Sequence, residues 1–141
     1  MTGGRVYLDS ENRHYVGFGG SYGDGSAANI ISLIEGGAAA AILRPDGTLE
    51  TQPAWNAQFA LHYEWSDACS SNFSLALAEV DPSDLIGPSE LKGTFAAHIN
   101  LIWELDEIFQ TGIELMWGER ENVDGDTGTA HRLQLMTMYS F

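Results

Sequence analysis

The sequence predicts an all-β fold, specifically a transmembrane antiparallel β-barrel laid out as a meander, and three observations carry that prediction. Side chains alternate with a period of two through five stretches, the signature of strands. Short polar turns alternate with long connections rich in Gly, Asp and Pro, the layout of a barrel whose two ends differ. The apolar face of the strands carries aromatic residues toward its ends, whereas the opposite face is small or hydrophilic.

In chain order, "GGRVYLD" and "HYVGFGGSYG" read as two strands around the turn "SENR". Residues 29–43, "NIISLIEGGAAAAIL", are expected to form a long loop with some local structure, because the alanines favour helix and Gly36 and Gly37 interrupt it. "RPDGTLETQP" is turn chemistry. "NAQFALHYEW" then sets Ala57, Phe59, Leu61, Tyr63 and Trp65 against Asn56, Gln58, Ala60, His62 and Glu64. "FSLALAEV" sets Phe73, Leu75 and Leu77 against Ser74, Ala76 and Ala78. In "GTFAAHINLIWE", Phe95, Ala97, Ile99, Leu101 and Trp103 oppose Thr94, Ala96, His98, Asn100 and Ile102. In "QTGIELMWGER", Thr111, Ile113, Leu115 and Trp117 oppose Gly112, Glu114, Met116, Gly118 and Arg120. The closing "HRLQLMTMYSF" alternates Leu133, Leu135, Thr137, Tyr139 and Phe141 against Arg132, Gln134, Met136, Met138 and Ser140, so a strand is expected to run to the last residue.

That makes about seven strands in all. "SENR", "SDACSS" and "LDEI" are the short connections; residues 23–53, 81–92 and 119–130 are the long ones. No repeat, linker or break in composition marks a second domain, so residues 1–141 read as a single barrel segment.

The hydrophobic content of 44% argues against a disordered chain. Twenty acidic against six basic residues, a net charge of −14, leave no basic face for nucleic acid or for an anionic cytoplasmic leaflet. Cys69 is the only cysteine, so neither an internal disulfide nor a cysteine-based zinc site is available. No apolar run is long enough for a membrane helix. The start, "MTGGRVYLDSENRH", lacks the layout of a signal peptide, which fits a cytosolic protein, a mature product or the tail end of a longer chain.

Alternation does not say which face is the core. A soluble barrel points its large apolar side chains inward, and a membrane barrel inverts that order. Two observations favour inversion. Trp55, Phe95 and Trp117 lie toward the long loops, and Tyr63, Trp65, Phe73, Trp103, Phe109, Tyr139 and Phe141 toward the short turns, like two interfacial girdles around an aliphatic strip. The other face lacks the charge density of a soluble surface, with Gln58, Ala60, His62 and Glu64, then Ala96, His98 and Asn100, then Gly112, Glu114 and Gly118.

Phe141 with Tyr139 two residues before it, and Leu135 and Leu133 further back, resembles the terminal signal of bacterial outer-membrane proteins. "WNAQFALHYEWSD", "AAHINLIW" and "IELMWGERENVDGDTGTAHRLQLMTMYSF" resemble the C-terminal part of DcaP-like porins, over roughly residues 54–141. The most specific piece is "WGERENVDG" followed by an Arg-x-Gln strand ending in "YSF". The resemblance implies a homotrimeric porin of about sixteen strands in the bacterial outer membrane, of which this chain is expected to supply the C-terminal portion. It implies small hydrophilic solutes, including anionic ones such as dicarboxylates. It also implies outer-membrane lipid and lipopolysaccharide as neighbours, and the barrel assembly machinery as reader of Tyr139 and Phe141.

With Phe141 at the periplasmic end, much of the acidic charge (Asp24, Glu35, Asp46, Glu50, Asp81, Asp84, Glu90, Glu119, Glu121, Asp124, Asp126) falls in or near extracellular loops, solvated or sharing divalent cations with lipopolysaccharide. The expected pore-lining residues are Arg132, Arg120, Glu114, His98, Asn100, Gln134, Glu64 and His62, with the two arginines near the extracellular mouth. The expected membrane-interface girdle is Trp55, Trp65, Tyr63, Trp103, Trp117 and Tyr139.

No catalytic, cofactor or metal motif competes with this reading, and no enzyme is expected. His62 and His98 have no nucleophile at a recognisable spacing, and His14 and His131 form no HExxH pattern. "GFGGSYGDG" lacks the third glycine and following helix of a dinucleotide fingerprint, and "DGDTG" lacks the distal glutamate of a calcium loop. Two other readings remain: a small complete outer-membrane barrel of about eight strands with an adhesive or structural role, and a soluble ligand-binding β-barrel.

Overall fold

The computed structural model describes residues 2–141. The strands are β1 (Thr2–Tyr7), β2 (Tyr15–Asp24), β3 (Ala41–Leu43), β4 (Leu49–Thr51), β5 (Pro53–Ser66), β6 (Cys69–Val80), β7 (Leu91–Asp106), β8 (Phe109–Asn122) and β9 (Thr127–Tyr139). A 3-10 turn at Ser26–Asn29 and a short helix α1 (Ile31–Glu35) lie between β2 and β3. Seven strands form one sheet in the order β1-β2-β5-β6-β7-β8-β9, every neighbouring pair antiparallel, and β3 and β4 pair separately. The sheet is a meander and it is open: β1 and β9 are its two edges.

All five alternating stretches are strands, and each is longer than its alternation marks. The reason is clearest at the third expected long loop, residues 119–130, where the structure instead has a tight hairpin. Pairing runs up to Glu121 opposite Thr127, and the turn is closed by Asn122 N–H donating to Asp126 O at 2.8 Å. Gly125 supplies the positive φ of 85° that Asp-Gly hairpin turns require. Polar strand ends such as "GEREN" and "TGTAH" look like loop by composition, because nothing apolar packs on them.

At the other end, β9 stops at Tyr139, short of the expected last residue. Ser140 N–H still donates to Ile108 O at 2.8 Å, but Phe141 lies beyond the strand and is exposed. Residues 29–43 hold more than loose local structure: α1 and the first strand of the β3–β4 hairpin. Residues 44–48 form that hairpin's turn, where Gly47 takes a φ of 84° and the Asp46 carboxylate accepts from Thr48 N–H at 2.9 Å and Thr48 Oγ1 at 2.7 Å.

The two faces of the sheet differ as the alternation requires. One carries Val16, Phe18, Phe59, Leu61, Phe73, Leu75, Ile99, Leu115, Leu133 and Leu135, matched across neighbouring strands by the register. Phe73 sits within this aliphatic strip, opposite Leu61 and Ile99, rather than in a terminal aromatic band. This face is uncovered, with Leu135 76% and Trp65 62% exposed. Among the described residues the buried hydrophobic side chains are Ala27, Ile30, Leu33, Ala54, Ala78, Val80 and Leu91. They form a single cluster where the β2–β5 connection folds back on the sheet. A water-soluble domain buries its large apolar face and keeps exposed patches small, so the reverse distribution fits a surface made for lipid.

Candidate functional site

The second face of the sheet carries the candidate site, and its side chains fall into transverse rows set by the register. One row runs Tyr7, Tyr15, His62, Asn72, Asn100, Glu114, Gln134 across seven strands. It is joined by contacts along most of its length. Tyr15 stacks on His62 with ring centroids 4.8 Å apart, and His62 Nδ1 is 2.8 Å from Asn72 Oδ1. Asn72 Nδ2 donates to Asn100 Oδ1 at 3.1 Å, and Asn100 Nδ2 donates to Glu114 Oε2 at 3.4 Å. Polar side chains on facing strands satisfy one another here, as half-buried polar groups must.

The next row toward the long-loop end is Arg5, Gly17, Ala60, Ser74, His98, Met116, Arg132. Beyond it Gly19, Gln58, Ala76, Ala96, Gly118 and Ala130 present almost no side chain apart from Gln58. Small side chains flanked by longer ones make a hollow of about 660 Å³, floored by Gly17, Ala60 and Ala76 and edged by Arg5, Tyr15 and His98. The Arg5 guanidinium lies 4.1 Å from the Tyr15 ring centroid, a cation–π contact.

At the short-turn end, Arg13 reaches from the β1–β2 turn onto the same face. Its Nε donates to Glu64 Oε2 at 2.7 Å and its second amino nitrogen lies 3.0 Å from Asp67 Oδ1. Glu64 also lies 3.7 Å from His62, and Glu114 lies 3.8 Å from His98. The turn is shaped by Asp9. Backbone N–H groups of His14 and then Arg13 donate to its carboxylate and hold it below the usual carboxylate range.

At the long-loop end, residues 25–52 form a cap on this face. Ala27, Ile30 and Leu33 pack against Ala54, Ala78 and Val80, whose even positions in β5 and β6 place them on the polar side. Gln52, 2% exposed, locks the cap from within: Nε2 donates to Ala39 O at 2.7 Å and Oε1 accepts from Ser83 N–H at 3.1 Å. Arg44 pairs with Glu50 and with Asp84, 3.3 Å away, tying the β3–β4 hairpin to the β6–β7 connection.

All eight residues expected to line a pore therefore share one face: Arg132, Arg120, Glu114, His98, Asn100, Gln134, Glu64 and His62. Arg120 differs from the others in its use. It donates to Asn122 Oδ1 at 2.8 Å and to the carbonyls of Gly36 and Ser89, each at 3.3 Å, so it holds connections although its side chain is exposed. Sequence reasoning missed Arg5 and Arg13. Arg5 shares the period-two face of Tyr7 in β1, a signal weakened because the strand is short and glycine-rich. Arg13 lies in a turn, where alternation carries no information.

The six girdle residues lie on the opposite, uncovered face, with Trp55 and Trp117 toward the long-loop end and Tyr63, Trp65, Trp103 and Tyr139 toward the other. Some of them have local partners. Trp65 Nε1 donates to Ser71 Oγ at 2.8 Å, and the Tyr63 ring stacks on His14 at 4.3 Å. Among the described residues, no three His, Cys, Asp or Glu side chains gather as a metal-holding group, and no helix is long and apolar enough to cross a membrane.

No protein-family model and no curated protein matches the chain. Among solved structures, the outer membrane channel DcaP of Acinetobacter baumannii superposes with a TM-score of 0.79 at 16% sequence identity, covering 99% of this chain and 39% of that channel. The chain thus has the fold of a substantial part of an outer-membrane channel wall, with an uncovered apolar face on one side and a hydrogen-bonded polar face on the other.

Proposed function

We propose that the chain is the C-terminal portion of a bacterial outer-membrane porin, one barrel segment that lines a passive diffusion path for small hydrophilic solutes, anionic ones among them. The observation that carries this reading is the inverted sheet: apolar side chains exposed on one face, a polar hydrogen-bonded row on the other. In lipid the first face meets acyl chains and the second bounds water. The likeness to a channel at the level of fold supports the same assignment.

The open edges support a share in a larger barrel. Successive neighbours β1-β2-β5-β6-β7-β8-β9 are antiparallel, so β1 and β9 run in the same direction. Antiparallel closure needs an odd number of further strands between them, because a bilayer leaves no unpaired edge groups satisfied. A second copy inserted in the same orientation presents the same edge directions and would force parallel seams.

In this reading the polar face of β1, β2 and β5–β9 lines the lumen, with His62, Glu64, His98, Asn100, Glu114, Arg132 and Gln134 as wall residues. Trp55, Tyr63, Trp65, Trp103, Trp117 and Tyr139 sit at the two lipid interfaces. Tyr139 and Phe141 mark the periplasmic end and are the label for the barrel assembly machinery. The acidic long-loop end faces lipopolysaccharide, and the full-length protein assembles as a trimer. The test is conductance in planar lipid bilayers of the protein purified from outer membranes under its native promoter. Stable ohmic channels that conduct small ions and dicarboxylates support the proposal. A monomer soluble without detergent, or a heat-modifiable barrel that never conducts, refutes it.

A further inference from the structure

The dry packing among the described residues is concentrated where the cap meets the wall. Leu33 and Ala27 are both 0% exposed, and they lie against wall residues rather than within the wall itself. Three features fix that position. Ala78 and Ala54 are small enough for the cap backbone to approach the sheet closely. Gly36 ends α1 where a Cβ would come within 2.4 Å of Cδ2 of the buried Leu91, so a side chain there would have to displace Leu91. Arg120, standing on β8 across the face, donates to Gly36 O and Ser89 O and so ties the cap to the β6–β7 connection.

The opposite side of α1 is left bare: Ile31 is 72% and Ile34 51% exposed, turned away from the wall that Leu33 packs on. Residues 31–36 therefore project from the polar face with an apolar surface, at the end where Arg120 and the long connections lie.

We propose that residues 31–36 narrow the long-loop mouth of the pore and that Arg120 is the positioning residue that holds them there. This rests on the diffusion-pore reading above. Arg120 then acts on solute size through the cap, not as a charge met by the solute. Ile31 and Ile34 present the narrowed passage with an apolar side, opposite the polar row beneath it.

The experiment measures single-channel conductance, and its reduction by neutral polyethylene glycols of graded size, for the native assembly and its variants. With Arg120→Ala, undocked cap becomes more populated by no more than about tenfold, because the guanidinium is solvent-exposed and its bonds are partly replaced by water. Conductance rises and larger glycols enter. Arg120→Lys, which keeps the charge and one donor direction, restores part of the wild-type cut-off. Replacing residues 30–37 by a Gly/Ser linker, with Arg120 intact, gives the full increase and keeps the test decisive where Arg120→Ala fails to assemble. A cap replacement with the conductance and cut-off of the wild type overturns the inference, as does a fall in conductance. Wild-type protein without any conductance overturns the pore reading itself, a result distinguishable from the first.

Discussion

Leu33→Ala tests whether the cap is a separate cooperative unit docked on the wall. Leu33 is fully buried, in one cluster with Ala54, Ala78, Val80 and Leu91 of the wall. Truncating a buried leucine costs about 2–5 kcal/mol, and the low end, about 2–3, applies where one side of the cavity is a thin surface segment able to collapse. That cost falls on the packing between cap and wall, whereas the inter-strand ladders of β5 to β8 are made by backbone hydrogen bonds that the truncation leaves in place. The assay is amide hydrogen exchange by mass spectrometry on the folded protein in detergent. Peptides spanning residues 26–37 should exchange about 30- to 150-fold faster, the equivalent of that loss, while peptides within β6, β7 and β8 stay protected. Ile31→Ala is the control: at 72% exposure it should change cap protection by about twofold or less. Equal protection of the cap in wild type and Leu33→Ala would refute the reasoning. So would loss of protection throughout β5 to β8, which would make the cap part of the wall's own folding unit.

The face assignment predicts an asymmetry at neighbouring positions of β8. Leu115→Arg, on the uncovered apolar face opposite Ile99 and Leu133, should destabilise the barrel in lipid vesicles by about 2–4 kcal/mol, whereas Met116→Arg on the polar face should cost far less; urea unfolding in vesicles reads both, and the reverse order would invert the assignment. Asn100→Leu removes the acceptor of Asn72 N–H and Asn72 Nδ2, and should cost about 1 kcal/mol in the same assay because water reaches part of the row. The β3–β4 hairpin should loosen in acid. Thr48 holds the Asp46 carboxyl below the usual carboxylate range, first through its hydroxyl and then its N–H, and Arg44, then Ser83, does the same for Glu50. Depressed carboxyls stabilise fully above the ordinary range and lose that contribution as pH falls through their lowered values, so the Thr48 amide resonance should shift at a pH below that of Asp46 in a denatured peptide. A titration matching the free peptide would remove the hairpin's electrostatic support.

How much of this was legible in advance follows from what each signal measures. His62, Asn100, Glu114 and Gln134 were placed on one face by alternation, and their register across strands kept them there. That they form one hydrogen-bonded row depends on which residue of each strand faces which, and a shift of the pairing would break it while leaving the alternation unchanged. The hairpin at residues 123–126 was hidden because strand ends beyond the apolar zone lack alternation in hydrophobicity, although Asp124-Gly125 carries the turn signal. Arg120 read as a lumen charge because its face is correct; its engagement with Gly36 and Ser89 joins two connections to a strand distant from both in sequence.

The sequence by itself determined the seven strands of the main sheet, their two faces and the inversion between them, because a period of two is local and the identity of each side chain says which solvent it suits. Only the tertiary structure decided three further things. It folded residues 25–52 onto the polar face, through a cluster that joins Leu33 with Ala78 and that no local pattern encodes. It aligned Arg5 and Arg132 at the two edges of one row, with His98 between them. And it left β1 and β9 open and running the same way, since edge direction is the sum of every turn along the chain.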